Sequence, residues 1–180
     1  MRGEGARALP GEFAGRSPRR GAASGRSAPR PRGAGADLSR AGLAGLVEPL
    51  GFQESSLRCK RDAIEAIEAI GVGSTFALVH DTFHHFLSGE ISFFPERTSL
   101  VHISGVEDRS VPPAEFGDRH RVLIGEGDIL DNVGQMRTLL RGGYRGLFSF
   151  EPFAESVQAQ EDISAALSES MALVRTRALS

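Results

Sequence analysis

The sequence predicts an α/β fold in which short parallel strands alternate with helices. Apolar runs at residues 43–50, 76–79, 99–103 and 147–150 have the length of buried strands. The stretches between them repeat apolar residues at helical spacing, most clearly at 58–70 and 129–141. Strands joined through helices of this size pair in parallel by crossover connections. In addition, each apolar run carries an acid or a histidine at or beside its carboxyl end: Glu48, Asp81, His102 and Glu151.

In chain order, residues 1–40 are Arg, Gly, Ala, Pro and Ser with few large apolar side chains. Such a segment buries too little surface to offset its ordering entropy, so a disordered leader is expected ahead of a domain over 41–180. A mistranslated start, an Arg- and Ser-rich transit peptide and a nucleic-acid arm are alternative readings of the leader. Residues 43–50 read as a strand ending at Glu48, because Pro49 cannot continue a ladder. Over 58–70, Ala63, Ile64, Ile67 and Ile70 share one helical face, with Ser55 or Ser56 to cap the start and Gly71 the end. Residues 76–79 form the second strand, and 83–87 make about one helical turn. Residues 99–103 form the third strand, followed by a long polar loop over 105–127; loops of that length in compact domains are often functional. A helix over 129–141 with Ile129, Val133, Met136 and Leu140 on one face, a strand over 147–150, and a helix over 156–175 with Ile163, Leu167, Met171 and Val174 on one stripe complete the chain.

Charge is unevenly spread. Nine Arg face three acids in residues 1–40, and twelve basic face twenty acidic residues in 41–180, giving the net charge of −2. The acidic domain argues against a broad nucleic-acid surface. Cys59 is the only cysteine, so no internal disulfide forms, and a reducing, cytoplasmic location is expected. No apolar run approaches the roughly 18 residues of a membrane helix.

Parallel strands of one sheet end on the same side. Glu48, Asp81, His102 and Glu151 therefore converge if all four strands belong to one sheet. Buried acids and imidazoles are costly unless paired or bound to metal. Two Glu, one Asp and one His form a hard, oxygen-rich donor set that suits Mn²⁺ first, then Mg²⁺ and Co²⁺, with Zn²⁺ also accommodated. Each residue also has a structural reading. Glu48 can cap the chain before Pro49, Asp81 can cap a helical turn, His102 can be a hydrogen-bonded core histidine, and Glu151 can sit exposed at a strand end. Alternation places His80 opposite Asp81.

The segments VEPLGF around Glu48, HDTFHHF around Asp81, VHISG around His102, DRHRVLIGEGD from Asp118 and SFEPF around Glu151 resemble, in this order, the sugar phosphate isomerase/epimerase family. That family lies within the xylose-isomerase-like TIM-barrel superfamily, which also includes endonuclease IV. The resemblance covers residues 41–175 and implies a TIM-barrel-like fold. Four strands against the eight of a full barrel point to the carboxyl-terminal half of one. It further implies that Glu48, Asp81, His102 and Glu151 bind one divalent metal. Glu48 and Glu151 would move a proton on opposite sides of a keto-sugar or inosose carbon through an enediolate. His84 matches the histidine that holds the sugar substrate. The family's substrate arginine lies six residues after the metal-bound histidine; here Asp108 holds that place and Arg109 follows, so Arg109 is assigned. A half barrel leaves two sheet edges open, for which self-association is one remedy. Two other readings stay open on the sequence. One is an endonuclease IV-like abasic-site repair enzyme using Asp81, His84, His102, Asp118, His120 and Glu151. The other is an inactive fragment.

Overall fold

The computed structural model describes residues 33–71 and 73–179. Of the leader expected over 1–40, residues 1–32 lie outside these residues. Its end departs from the expectation of disorder, because Ala34–Arg40 form helix α1. Asp37 in its first turn and Arg40 in its last complement the helix dipole. Leu38, the one large apolar residue of the segment, lies against Gly45.

The chain continues through β1 (Gly45–Val47), α2 (Lys60–Ala69), β2 (Phe76–Asp81), α3 (Thr82–Ser88), β3 (Thr98–Ile103), α4 (Asn132–Arg141), β4 (Leu147–Phe150), α5 (Glu155–Gln158) and α6 (Ile163–Ala178). The strands pair in the order β1-β2-β3-β4, every neighbour parallel. Among the described residues the sheet is open, with β1 and β4 at its edges. No helix among the described residues is long and apolar enough to cross a membrane.

One face of the sheet is covered. Val101 and Ile103 of β3 pack with Met136 and Leu139 of α4 and with Val174 and Ala178 of α6, and Phe148 and Phe150 of β4 close against them. Full burial of an aliphatic side chain contributes on the order of 1.5–3 kcal/mol, so this layer is the main cohesive element. His80 of β2 lies on the same face, opposite Asp81 as alternation requires. Its Nδ1 is 2.8 Å from Lys60 Nζ and its Nε2 is 3.0 Å from Gln135 Oε1. Burial, and then the Lys60 ammonium, hold His80 well below its ordinary pKa.

Several elements differ from expectation for identifiable reasons. The first strand is shorter than 43–50, because the Leu43 N–H bonds back to the Leu38 carbonyl and pairing begins only at Gly45. Helix α2 is not capped by Ser55 or Ser56. The Glu90 carboxylate accepts from the N–H groups of Lys60 and Arg61, both at 3.0 Å, from 30 and 29 residues away. Ile70, expected on its buried face, is exposed. Helix α4 starts at Asn132, capped by Asp131, and turns Asn132, Gln135, Met136 and Leu139 inward. Two of those are polar because they bond inward: Asn132 Nδ2 donates to the Ser104 carbonyl at 2.8 Å, and Gln135 Nε2 to the carbonyls of Thr82 (3.1 Å) and Leu130 (2.8 Å). The helix expected over 156–175 is two, α5 and α6. Asp162 caps α6 by accepting from Ala165 N at 2.9 Å, and its buried residues are Ser170, Val174 and Ala178, while Ile163 and Met171 are exposed. The loop over 105–127 is structured by a Gly105–Val122 antiparallel bridge and by short 3-10 turns at Pro113–Glu115 and Asp118–His120.

Candidate metal centre

Strand β2 ends at Asp81, whose carboxylate does two things. Oδ1 accepts from the His84 N–H at 2.8 Å and so caps α3, and Oδ2 accepts from Arg121 Nη2 at 2.6 Å. Asp81 therefore caps α3, as its structural reading expects, and its second carboxylate oxygen faces Arg121. His102 pairs with Asp81 in the β2–β3 register. Glu151 leaves β4 with its N–H bonded to the Ile103 carbonyl at 2.9 Å. Glu48 leaves β1 just before the buried Pro49. Because the strands are parallel and adjacent, the four side chains meet: one ligand-capable atom from each of Glu48, Asp81, His102 and Glu151 lies within 4.8 Å of the others.

His102 Nδ1 is buried without a hydrogen-bond partner, 3.4 Å from Glu48 Oε2 and 3.3 Å from Glu151 Oε2. Burial first, then the Asp81 carboxylate, push the Glu48 carboxyl above its ordinary value; Glu151 adds to this and His102 opposes it. Three crowded carboxylates beside an unpartnered imidazole nitrogen are the arrangement a divalent cation relieves. The donor set, one nitrogen and carboxylate oxygens, fits such an ion.

Arg121 completes the electrostatics. Its guanidinium is buried and donates to Asp81 Oδ2, to Glu151 Oε2 at 2.8 Å and to Ser104 Oγ at 3.0 Å, and it reaches Asp118 Oδ1 at 3.4 Å. It lies between two rings, 5.1 Å from the Phe83 centroid and 4.8 Å from that of Phe153. The loop holds it there: Val122 is bridged to Gly105, and the Arg121 carbonyl accepts from the N–H groups of Phe153 and Ala154. Asp128 gathers the same loop, accepting from the backbones of Val106, Leu130 and Asn132.

His84 is buried, with Phe52 and Phe83 edge-on at 5.0 and 5.3 Å and its Nδ1 unpartnered. Burial, and then Arg121, push its pKa down to about 4, so it is neutral at pH 7. Arg109, the expected substrate arginine, is exposed and donates to the Gly127 carbonyl at 3.4 Å; the guanidinium beside the carboxylates is that of Arg121. The sequence signal for Arg121 is its place directly before the apolar run Val122–Leu123–Ile124, the same juxtaposition that singles out Asp81. Asp118 and His120 stand apart from the four-residue cluster: the Asp118 side chain is more than half exposed, and His120 Nδ1 accepts from the Gly117 N–H at 3.0 Å.

A parallel sheet whose strand ends gather one candidate metal centre defines a barrel-type α/β protein with its site at the carboxyl face. The chain belongs to the xylose isomerase-like TIM barrel family, whose model matches residues 5–176. A xylose isomerase domain-containing protein from Salmonella typhimurium LT2 superposes with a TM-score of 0.71 at 34% identity, over 81% of this chain and 54% of that one. The IolI protein with a bound zinc atom gives a TM-score of 0.65 at 20% identity, over 79% and 53%. The 3-keto-D-glucoside 4-epimerase YcjR of E. coli gives 0.58 at 21% identity, over 79% and 49%. At these last two identities the likeness is one of fold. The chain spans about half the length of these three solved structures. Comparison with curated protein sequences gave no match.

Proposed function

We propose that this chain carries the proton-transfer site of a divalent-metal-dependent sugar isomerase or epimerase acting on a keto-sugar or inosose. The observation that supports this most is the convergence of Glu48 and Glu151 on one cluster with Asp81 and His102. Two carboxylates placed to reach opposite sides of one carbon are what removal and return of a proton at that carbon require. Glu48, Asp81, His102 and Glu151 would hold the ion. Once bound, it supplies Lewis-acid polarisation of the substrate carbonyl and the adjacent hydroxyl. Mn²⁺ is the first ion to load, and Zn²⁺ the second, given the zinc in the IolI structure.

The other roles follow from the side chains themselves. One glutamate takes the proton α to the carbonyl, and the other returns one to the same carbon for epimerisation or to its neighbour for isomerisation. Glu48, with its raised pKa, is the better placed of the two to be protonated and to donate. Neutral His84 has an unpartnered Nδ1 to offer a substrate hydroxyl. Arg121 donates to Asp81 and Glu151 and holds both side chains in position. The phenyl rings of Phe52, Phe83 and Phe153 give the site apolar walls. The abasic-site repair reading is less well supported, because Asp118, His120 and His84 do not join the cluster.

Solvent deuterium exchange into a panel of keto-sugars and inososes, followed by NMR with Mn²⁺-loaded chain, tests this. Exchange at the carbon α to the carbonyl is expected, and its loss in both Glu48→Gln and Glu151→Gln. Equal exchange with and without the chain across the panel would count against the reading.

A further inference from the structure

We propose that the substrate of this centre is a glycoside: its keto-sugar unit lies at the carboxylate cluster, and a second, uncharged sugar unit linked to it lies in the pocket outside His84. The proposal rests on the keto-sugar reading of the centre and adds to it what the substrate carries.

Three segments enclose the pocket: residues 51–54, Phe86 with Leu87 of α3, and residues 113–119. They follow the carboxyl ends of β1, β2 and β3 in turn, so the pocket belongs to the same face of the sheet as the cluster. Its volume is about 600 Å³, within the range of about 300–1,000 Å³ usual for small-molecule sites. Two contacts join it to the centre. Phe52 lines the pocket and stands edge-on to His84 at 5.0 Å. Asp118 lines it and accepts from Arg121 at 3.4 Å, and the same guanidinium donates to Asp81 and Glu151. A substrate held at His84 and extended past Phe52 enters the pocket.

The pocket is preformed. Arg58 donates to the Gly51 carbonyl at 2.9 Å and to the Leu87 carbonyl at 3.4 Å, which ties the first segment to α3. Phe116 is buried in a core cluster with Phe83, Val106 and Leu130, and Phe52 and Phe86 pack against that cluster. The third segment is stiffened by the 3-10 turns on either side of Phe116 and Gly117.

The lining has the two-sided character that a sugar ring requires. Phe52 and Phe86 are half-buried and offer apolar surface to its C–H groups. Glu54, Glu115, Asp118 and Arg119 are exposed, and set acceptors and a donor fork around its hydroxyls. An apolar group here would strip water from those charges without replacing it. A phosphate would meet three carboxylates against one guanidinium, and like charges brought together discriminate against a ligand. The pocket therefore accepts an uncharged, hydroxyl-rich unit and turns sugar phosphates away.

The test is calorimetric titration of the full 180-residue chain in excess Mn²⁺. The probes are fructose, fructose 6-phosphate and the keto-disaccharides turanose, maltulose and isomaltulose, in which a glucosyl unit occupies three different fructose hydroxyls. At least one disaccharide should bind about tenfold more tightly than fructose, the yield of one or two net hydrogen bonds. Fructose 6-phosphate should bind more weakly than fructose. Glu115→Lys should cut the advantage of the disaccharide about threefold or more and improve the phosphate ester relative to fructose. Glu161→Lys, at an exposed acid between α5 and α6, should leave both ratios as in the wild type. Both substitutions are on the surface, and circular dichroism checks that the fold is kept. Disaccharides that bind no better than fructose, a phosphate ester that binds more tightly than fructose, or a disaccharide advantage unchanged in Glu115→Lys would overturn the proposal. Failure of the reaction reading gives a different pattern: the expected order of binding, with no deuterium exchange into any bound sugar, would count against the reaction and leave the glycosyl pocket standing.

Discussion

At the scale of single residues, the most consequential side chain is Arg121. It is buried against a buried Asp81 and shared with Glu151. Removing one partner of a buried pair leaves the other charge uncompensated and costs about 3–5 kcal/mol, far more than the net contribution of the pair itself. Arg121→Met should therefore lower the unfolding free energy by about 3 kcal/mol or more in EDTA, read by urea denaturation at pH 7. A loss below about 1 kcal/mol would show that Asp81 is satisfied without it. Asp81 and Glu151 were legible in the sequence because each is a charge placed against an apolar run, where chance and solvation explain it poorly. Composition does not single out Arg121, because Arg109, Arg119 and Arg121 all lie between 105 and 127 and composition cannot say which one folds inward. Arg109 was favoured by counting from His102. The structured loop, bridged at Gly105 and Val122, makes such counting unreliable by bringing a residue nineteen positions past His102 to the site.

At the scale of elements, β2 and α3 carry three histidines that lie beside the cluster or away from it, His80, His84 and His85, and they make a pH prediction. Burial lowers the pKa of His84 to about 4 and of His85 to about 3, and His80 lies well below its ordinary value of 6.5. In the unfolded chain these groups take up protons below about 6.5, but in the fold they do not. Their contribution to stability is thus complete above about pH 6.5 and is lost as pH falls toward 4 and then 3. Glu48 acts in the opposite sense, since its raised pKa favours the fold at acid pH and disfavours it as the carboxyl ionises. With three histidines against one glutamate, the urea midpoint should fall between pH 7 and pH 5. The fall should be smaller in His85→Gln, which lies outside the cluster. An unchanged wild-type midpoint over that range would refute the assignment. Element order and parallel pairing were readable from periodicity, and so was the Asp81 cap. The start of α2 was not, because its cap is the distant Glu90, and local sequence does not show a cap supplied from 30 residues away. The break between α5 and α6 was missed because apolar spacing runs on through it, while the buried stripe of α6 uses Ser170 and Ala178, small residues that a search for large apolar ones passes over.

At the scale of the whole molecule, one parallel sheet turns four sequence-distant residues into one cluster simply by ending its strands on the same side. Among the described residues β1 and β4 are the two edges of that sheet. The central claim is that this chain by itself gathers Glu48, Asp81, His102 and Glu151 into a divalent-metal site. Thermal unfolding of the purified chain, first in EDTA and then with excess Mn²⁺, tests it most directly. An ion that binds only the folded state at 100 times its Kd adds about 2.7 kcal/mol, which for a chain of this size raises Tm by roughly 5–10 °C. That rise is expected for the wild type and should be largely lost in Glu151→Ala. A cooperative transition whose midpoint is the same with EDTA and with Mn²⁺ would contradict the claim.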